Sequence, residues 1–221
     1  MGVYDKQGND LLIRKINNPI YGKHVWIVGD SNTQYNLSAI QSLFEDDYGC
    51  EFTSYATAGY AWGTTDTTNG FDTTDNSAIG QLNRICSQAE YVESEYFEED
   101  KHIFLFMMGT NGSSGGYGDA NTNDPSTCYS AMTDCFEKIS RYARVGNAIG
   151  VIIPLEINTT DKENQIALCK EYAIPYIDLM TQVRVYQDNG NNYLTDGGNH
   201  MGSNGIKHFK RIIGKWVAYC I

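Results

Sequence analysis

Five residues in this sequence are of types that could carry out one reaction together. Ser31 and Gly59 each follow an apolar run, Asn111 follows a third, and Asp196 and His200 share a glycine-rich segment. A serine hydroxyl becomes an effective nucleophile when a histidine takes its proton, and an acid can orient that histidine. Backbone N–H groups and an asparagine side chain can stabilise the oxyanion that such an attack creates.

Each segment also has an ordinary structural explanation. Ser31 would suit the N-cap of a helix, although a serine there also lies near helix N-terminal amides, which stabilise negative charge. Gly59 would suit a turn that needs no ligand, and Asn111 an Asx-turn. Taken singly, these segments therefore do not decide between chemistry and structure.

The histidines narrow the choice of base, because the chain has only four. His24 and His102 each precede an apolar run, and His208 lies within a helical pattern. His200 alone lies in a loop that can be expected near Ser31.

The hydrophobic pattern predicts the elements that must position these residues. Strands are predicted at Val25–Val28, Glu51–Ala56, Ile103–Met108, Ile149–Ile153 and Tyr176–Leu179. Apolar residues at helical spacing predict helices at Leu37–Phe44, Ile79–Ala89, Ala131–Tyr142, Ile166–Ala173 and Ile206–Val217. This alternation predicts the α/β class, as a three-layer α/β/α flavodoxin-like sandwich with a five-stranded parallel sheet. The site of such a sheet lies at the carboxyl ends of its strands.

Taken in order, the polar segments resemble the sequence blocks of the SGNH (GDSL-type) hydrolase superfamily over most of the chain. Gly29-Asp30-Ser31 is similar to the nucleophile block, and Tyr55–Gly59 to the glycine block. Gly109-Thr110-Asn111 matches the Gly-x-Asn block, and Asp196 with His200 matches the final block.

The resemblance implies a carboxylic ester hydrolase that works through an acyl-serine. It makes Ser31 the nucleophile, His200 the general base and Asp196 the residue that orients the histidine. The oxyanion hole would consist of the N–H groups of Ser31 and Gly59 and the side chain of Asn111. Neither a cofactor nor a metal is implied.

The sequence departs from the family pattern in three ways. Three residues separate Asp196 from His200, where the family usually has two. Either the extra residue forms a bulge, or a backbone carbonyl orients His200 in place of Asp196. Ser54 stands where the glycine block usually begins with Asn, and Gly63 is an alternative to Gly59.

A second serine motif competes with the first. Ser114 is the centre of a Gly-x-Ser-x-Gly pattern at 112–116, which is typical of the alpha/beta-hydrolase elbow. That elbow needs a helix after the serine, and the segment that follows here is too rich in Gly and Asn to begin one. We therefore interpret 112–124 as a loop at the rim of the site, with Tyr117 and Asp119 near the substrate.

The residues after Gly59 suggest a substrate class. The rings of Tyr60 and Trp62 could stack on a sugar, although Trp62 could equally pack the loop. No long apolar segment predicts a lid for a lipid tail. We therefore expect a small acyl group, acetyl in particular, on a small-molecule or polysaccharide ester.

Composition excludes several other classes. The 16 Lys and Arg residues against 27 Asp and Glu residues give a net charge of −11. A nucleic-acid partner needs a basic surface and an anionic membrane repels such a chain, so neither is expected.

The longest apolar runs fall well short of the ~20 residues of a membrane helix. Met1–Asp10 lacks the apolar stretch of a secretory signal, which predicts a chain that is not exported by that route or one that has been trimmed.

The 221 residues are the length of one domain, which we place at residues 22–221. Residues 1–21 are expected to form a lead-in or linker that packs on the domain or joins it to something else. The six cysteines include no Cys-x-x-Cys pair, which argues against a metal site. Cys86, Cys135 and Cys169 lie on apolar helical faces and are predicted to be buried thiols.

The Asn-, Gly- and Tyr-rich composition resembles that of SGNH domains in bacteriophage tail or baseplate proteins and in gut bacteria. That setting implies a place in a larger virion or surface assembly. Alternatives are an inactive carbohydrate-binding module on the same scaffold, and a thioesterase or lysophospholipase. A nucleotide-binding flavodoxin-like domain is disfavoured, because the first loop lacks a glycine-rich phosphate cradle.

Overall fold

The computed structural model describes residues 18–63, 75–91, 97–113, 115–119, 121, 124–143, 146–155, 159–182 and 200–221. The strands are β1 (His24–Gly29), β2 (Glu51–Ser54), β3 (His102–Met107), β4 (Ala148–Ile153) and β5 (Tyr176–Asp178). The helices are α1 (Ser31–Gln34), α2 (Leu37–Ser42), α3 (Ala78–Tyr91), α4 (Cys128–Tyr142), α5 (Thr159–Glu171), α6 (Leu179–Gln182) and α7 (Ser203–Cys220). A π-helical turn, Leu43–Asp47, continues α2.

The five strands form one parallel sheet in the order β2-β1-β3-β4-β5. This confirms the predicted fold class, and the observed strands lie within two residues of the predicted ones. Leu179 differs in kind, because it begins α6 rather than ending β5. The short helix is stabilised at its start by the Thr181 hydroxyl, which donates to the Asp178 carbonyl at 3.0 Å.

Helices cover both faces of the sheet, because successive strand residues alternate between two apolar cores. Trp26 and Val28 of β1 pack toward α3, α4 and α5, whereas Val25 and Ile27 pack toward α2 and α7. Both faces of the central strands are therefore buried, as a three-layer sandwich requires.

The first described residues pack against the apolar core that lies between the sheet and helices α2 and α7. Ile20 is 3% exposed in this core, and the Asn18 side chain donates to the Tyr48 carbonyl at 2.6 Å. The last part of the predicted lead-in thus packs on the domain, while residues 1–17 lie outside the described residues. The division at residue 21 stays a prediction.

Two further features concern the cysteines and the lengths of the helices. Cys86, Cys135 and Cys169 are free thiols and buried, as predicted. Within the described ranges, no helix combines the length and the apolar character that spanning a bilayer would take.

Candidate active site

Ser31 is the first residue of α1, immediately after the sharp turn that follows β1. Asp30 is the N-cap of α1, and its carboxylate accepts a hydrogen bond from the Asn32 N–H at 2.9 Å. A Cβ on Gly29 would lie 2.1 Å from Thr33 Oγ1, so the turn is too tight for any residue but glycine. The N-cap role that the sequence left open for serine thus falls to Asp30.

Asp30 is fully buried beneath this turn and joins it to the loop after β3. Besides the Asn32 N–H, its carboxylate accepts from the Thr110 N–H at 3.2 Å. Burial raises the pKa of the Asp30 carboxyl, while these hydrogen bonds and the nearby His200 imidazole oppose the rise.

The Asn32 side chain connects three segments that are distant in the chain. Its Nδ2 donates to Thr110 Oγ1 at 2.9 Å, and its Oδ1 accepts from the Met201 N–H at 3.0 Å. Thr110 and Met201 are the chain neighbours of Asn111 and His200. The segments that carry these two predicted site residues therefore lie against the helix that begins at Ser31.

His200 lies beside the exposed side of α1. Its ring meets the Tyr35 ring edge-on, with the two centroids 4.9 Å apart. Tyr35 is 65% exposed and follows Ser31 by four residues, about one helical turn. Sequence reasoning missed Tyr35, although this spacing from Ser31 was visible. Asp196 lies outside the described residues, and its role in orienting His200 stays a prediction.

The glycine turn after β2 packs on the nucleophile turn. The Thr57 N–H donates to the Gly29 carbonyl at 3.1 Å, and the Ala58 N–H to Gln34 Oε1 at 2.7 Å. Gly59 follows with φ +83°, and a Cβ there would meet nothing within 4 Å. The Gly59 backbone is therefore left-handed and faces open space.

Asn111 completes this group of segments. Its Nδ2 donates to the Tyr60 carbonyl at 2.9 Å, which uses one of the two amide hydrogens. Among the described residues, no group accepts a hydrogen bond from the N–H of Ser31 or of Gly59.

The alternative glycine, Gly63, faces away from this group. Its N–H donates to Ser113 Oγ at 3.2 Å, and a Cβ there would lie 2.5 Å from the Ser126 carbonyl oxygen. The Gly63 backbone thus packs on the segment before α4 rather than on the nucleophile turn.

Of the two roles that the sequence left open for Trp62, packing is the one observed, and stacking on a sugar is not. The side chain is buried, with the residue 1% exposed, and its ring stacks on Phe106 and meets Phe136 edge-on. Three aromatic rings buried together stabilise the core, and this leaves no ring face for a ligand. Tyr60, in contrast, is 41% exposed.

The segment interpreted as a rim is anchored to two helices. The Tyr117 hydroxyl donates to the Asn164 carbonyl of α5 at 2.8 Å, and its ring meets that of Tyr129 in α4 edge-on. Asp119 is exposed and accepts from the Asn121 N–H. Substrate contacts by Tyr117 and Asp119 stay predictions, and Ser114 lies outside the described residues.

No three His, Cys, Asp or Glu side chains within the described ranges come together as metal ligands. The predicted site residues that the structure describes are Ser31, Gly59, Asn111 and His200.

Ser31 lies at the start of the helix after β1, and His200 lies shortly before the last helix, in a fold whose parallel sheet has the order β2-β1-β3-β4-β5. A protein assigned as a GDSL-like lipase from Bacteroides ovatus has a similar structure, with a TM-score of 0.59 at 15% identity over 88% of this chain and 97% of that one. An acetylxylan esterase from Geobacillus stearothermophilus is similar over 90% of this chain and 95% of its own, with a TM-score of 0.52 at 12% identity.

A carbohydrate esterase family 2 enzyme with a carbohydrate-binding domain, from Corynascus thermopiles, is also similar in structure. Its TM-score is 0.55 at 16% identity, over 89% of this chain and 65% of that one. No family model matches this sequence, and no curated protein matches it. The similarity at these identities is one of fold.

Proposed function

We propose that this protein is a serine esterase that removes small acyl groups, acetyl in particular, from carbohydrate through an acyl-serine intermediate. The observation that carries the proposal is the double contact of the Asn32 side chain with Thr110 and Met201. This contact makes the neighbours of Asn111 and His200 lie against the helix that begins at Ser31.

In the proposed reaction, His200 takes the proton of the Ser31 hydroxyl as Oγ attacks the carbonyl carbon of the ester. The carbonyl π electrons move to its oxygen, and a tetrahedral oxyanion forms. When this intermediate collapses, the bond to the sugar oxygen breaks and His200 returns the proton to that oxygen. Water then attacks the acyl carbon while His200 takes its proton, the bond to Ser31 Oγ breaks, and His200 returns the proton to Oγ as the free acid leaves. Asp196 would orient His200 and stabilise its protonated form.

The proposed oxyanion hole consists of the N–H groups of Ser31 and Gly59 and the second Nδ2 hydrogen of Asn111. The open space beside Gly59 and the lack of described acceptors for the two backbone N–H groups support this assignment. Each such donor typically contributes a factor of ~10²–10³ to the rate.

The proposed carbohydrate substrate is supported by two exposed aromatic rings at this end of the sheet. Tyr60 is 41% exposed beside Asn111, and Tyr35 is 65% exposed beside His200. A flat ring with a polar hydroxyl can pack on the apolar face of a sugar. Two structures with this fold are a carbohydrate esterase and an acetylxylan esterase, which is consistent with such a substrate.

The first experiment compares hydrolysis of p-nitrophenyl acetate, acetylated xylooligosaccharide, a long-chain p-nitrophenyl ester and an acyl thioester. We expect turnover of the two acetyl esters, and its loss in Ser31→Ala. Ser38→Ala is the matched control, because this exposed serine lies on the neighbouring helix and should leave turnover unchanged. Loss of activity in Ser114→Ala but not in Ser31→Ala would overturn the assignment. A preference for the long-chain ester would overturn the proposal of a small acyl group, and a preference for the thioester would overturn the proposal of an oxygen ester.

The second experiment uses Tyr60→Ala to test whether the Tyr60 ring contacts the sugar of the substrate. We expect KM for acetylated xylooligosaccharide to rise several-fold while KM for p-nitrophenyl acetate stays the same, because only the first substrate has sugar rings to stack. Tyr219→Ala is the control, since Tyr219 is an exposed tyrosine near the end of α7. An equal rise for both substrates would count against a sugar contact.

A further inference from the structure

We propose that Asn32 is a positioning residue, whose carboxamide keeps the segments of His200 and Asn111 in register with Ser31. The inference rests on the proposed function, because it concerns the same site. It assigns a role to a side chain that would not itself touch the reacting atoms.

The evidence is the burial of Asn32 and the position of its contacts. Asn32 is 1% exposed, and its amide donates to Thr110 Oγ1 at 2.9 Å and accepts from the Met201 N–H at 3.0 Å. Each contact lies one residue from a proposed catalytic group, and Asn32 directly follows Ser31. One rigid group of four heavy atoms thus joins three parts of the proposed site.

The backbone N–H of Asn32 is bound by the carboxylate of the buried Asp30. This N–H donates to Asp30 Oδ1 at 2.9 Å, and the Asn32 carbonyl accepts from Asn36 Nδ2 at 3.0 Å. Asp30 also binds the Thr110 N–H, so the loop after β3 has two links to the nucleophile turn. The link from Asn32 to Met201 joins the His200 segment to α1.

Few other side chains could perform this task. Leucine has almost the same volume, but it would leave the buried Met201 N–H without an acceptor, which costs more than the bond itself contributes. Aspartate would keep that acceptor, but it could not donate to Thr110 and would place a second carboxylate beside the buried Asp30. A displacement of about 1 Å in a catalytic group can lower a rate by ~10²-fold.

The experiment measures Asn32→Leu in two ways. The first is kcat and KM on p-nitrophenyl acetate, where we expect kcat to fall by ~10²-fold with KM little changed. The second is an NMR titration of histidine-labelled protein, whose spectrum is simple because the chain has four histidines. We expect the His200 resonance to shift or broaden, while those of His24 and His102 at the opposite end of β1 and β3 stay the same.

Asn36→Leu is the matched control. It removes one asparagine from the turn after α1 and one hydrogen bond to the Asn32 backbone, and it leaves the contacts with Thr110 and Met201 intact. We expect kcat within twofold of the parent and an unchanged His200 resonance. Asn32→Asp should restore the His200 resonance in part, because it keeps an acceptor for the Met201 N–H.

An Asn32→Leu protein with kcat within twofold of the parent, or with an unchanged His200 resonance, would overturn the proposal. If this variant does not fold, Thr110→Val replaces it, since that change removes the hydroxyl that accepts from Asn32 and also donates to Asp30, and an unchanged kcat would again overturn the proposal. The NMR result does not depend on turnover. A parent protein without esterase activity would therefore refute the proposed function, while the His200 resonance would still decide the role of Asn32.

Discussion

Gly59 combines two properties that make it a sensitive probe of the site. Its backbone is left-handed, with φ +83°, yet a Cβ there would meet no other atom within 4 Å. The requirement for glycine is thus one of backbone conformation and not of space. Any other residue keeps the N–H that is proposed to bind the oxyanion, but it adds strain to the turn.

We expect Gly59→Ala to lower the free energy of unfolding by about 1–2 kcal/mol, the usual cost of a left-handed conformation for an L-residue. It should also lower kcat, because the turn can relieve the strain only by moving the N–H. Urea unfolding and turnover of p-nitrophenyl acetate measure the two effects.

Gly112→Ala is the control for this substitution. A Cβ at Gly112 also meets nothing within 4 Å, but its backbone is not left-handed. The change should alter stability by less than about 0.5 kcal/mol. Equal losses at Gly59 and Gly112 would contradict the argument from backbone conformation.

Helix α3 completes the sheet at the point where β2 has ended. β2 pairs with β1 only as far as Ile27, opposite Ser54, so Gly29 has no strand partner on that side. The side chain of Gln81 in α3 takes that place. It accepts from the Gly29 N–H at 2.8 Å and donates to the Gly29 carbonyl at 2.9 Å. A helix thereby fixes the last strand residue before the nucleophile turn.

We expect Gln81→Leu to be destabilising, because it leaves the Gly29 N–H buried and without its partner. Such a group typically costs about 1–3 kcal/mol in the free energy of unfolding. Gln41→Leu is the control, since Gln41 is exposed and its side chain donates to the exposed Glu45 carboxylate at 3.0 Å. Similar urea midpoints for the two variants would show that α3 does not support β1 in this way.

The protein as a whole has two chemically different ends. The proposed site lies at the carboxyl ends of the strands, whereas an aromatic and histidine cluster occupies the amino ends. In this cluster Trp26 Nε1 donates to His102 Nδ1 at 3.0 Å, and the His24 ring stacks on Trp26. Burial, followed by the nearby His24, lowers the pKa of His102 to about 4. Burial also lowers the pKa of His24.

We expect the stability of the fold to decrease as the pH falls from 6.5 to 4. The folded state keeps His102 neutral in this window, whereas the unfolded chain, with an ordinary pKa near 6.5, binds a proton. Because the unfolded state then holds more protons, acid favours unfolding. Urea unfolding of the parent and of His102→Gln, across this pH range, measures the effect.

Comparing the parent with His102→Gln separates the effect of this histidine on stability from that of the carboxylates, which titrate at the lower end of the pH range. His102→Gln can still accept from Trp26, but it has no proton to gain, so its stability should depend less steeply on pH. Identical slopes for the two proteins would contradict the assignment to His102.

Much of the fold follows from local patterns. Apolar runs and helical spacing predicted five strands and the helices between them, because each element must bury an apolar face whatever its neighbours are. The positions of Ser31, Gly59 and Asn111 after successive strands followed from the same pattern. A parallel sheet brings those carboxyl ends to one edge, which is how the sequence alone predicted where a site would lie.

Other features were decided only by the tertiary structure. The burial of Trp62 depends on what packs over its loop, and the contact of Tyr35 with His200 depends on the path of the chain before α7. Asn32 meets Thr110 and Met201 across 78 and 169 residues of sequence. Periodicity reports which face of an element is apolar, but a hydrogen bond over such a separation depends on the packing of every element in between. The sequence therefore determined the elements and the edge of the sheet, while the folded chain determined which side chains meet there.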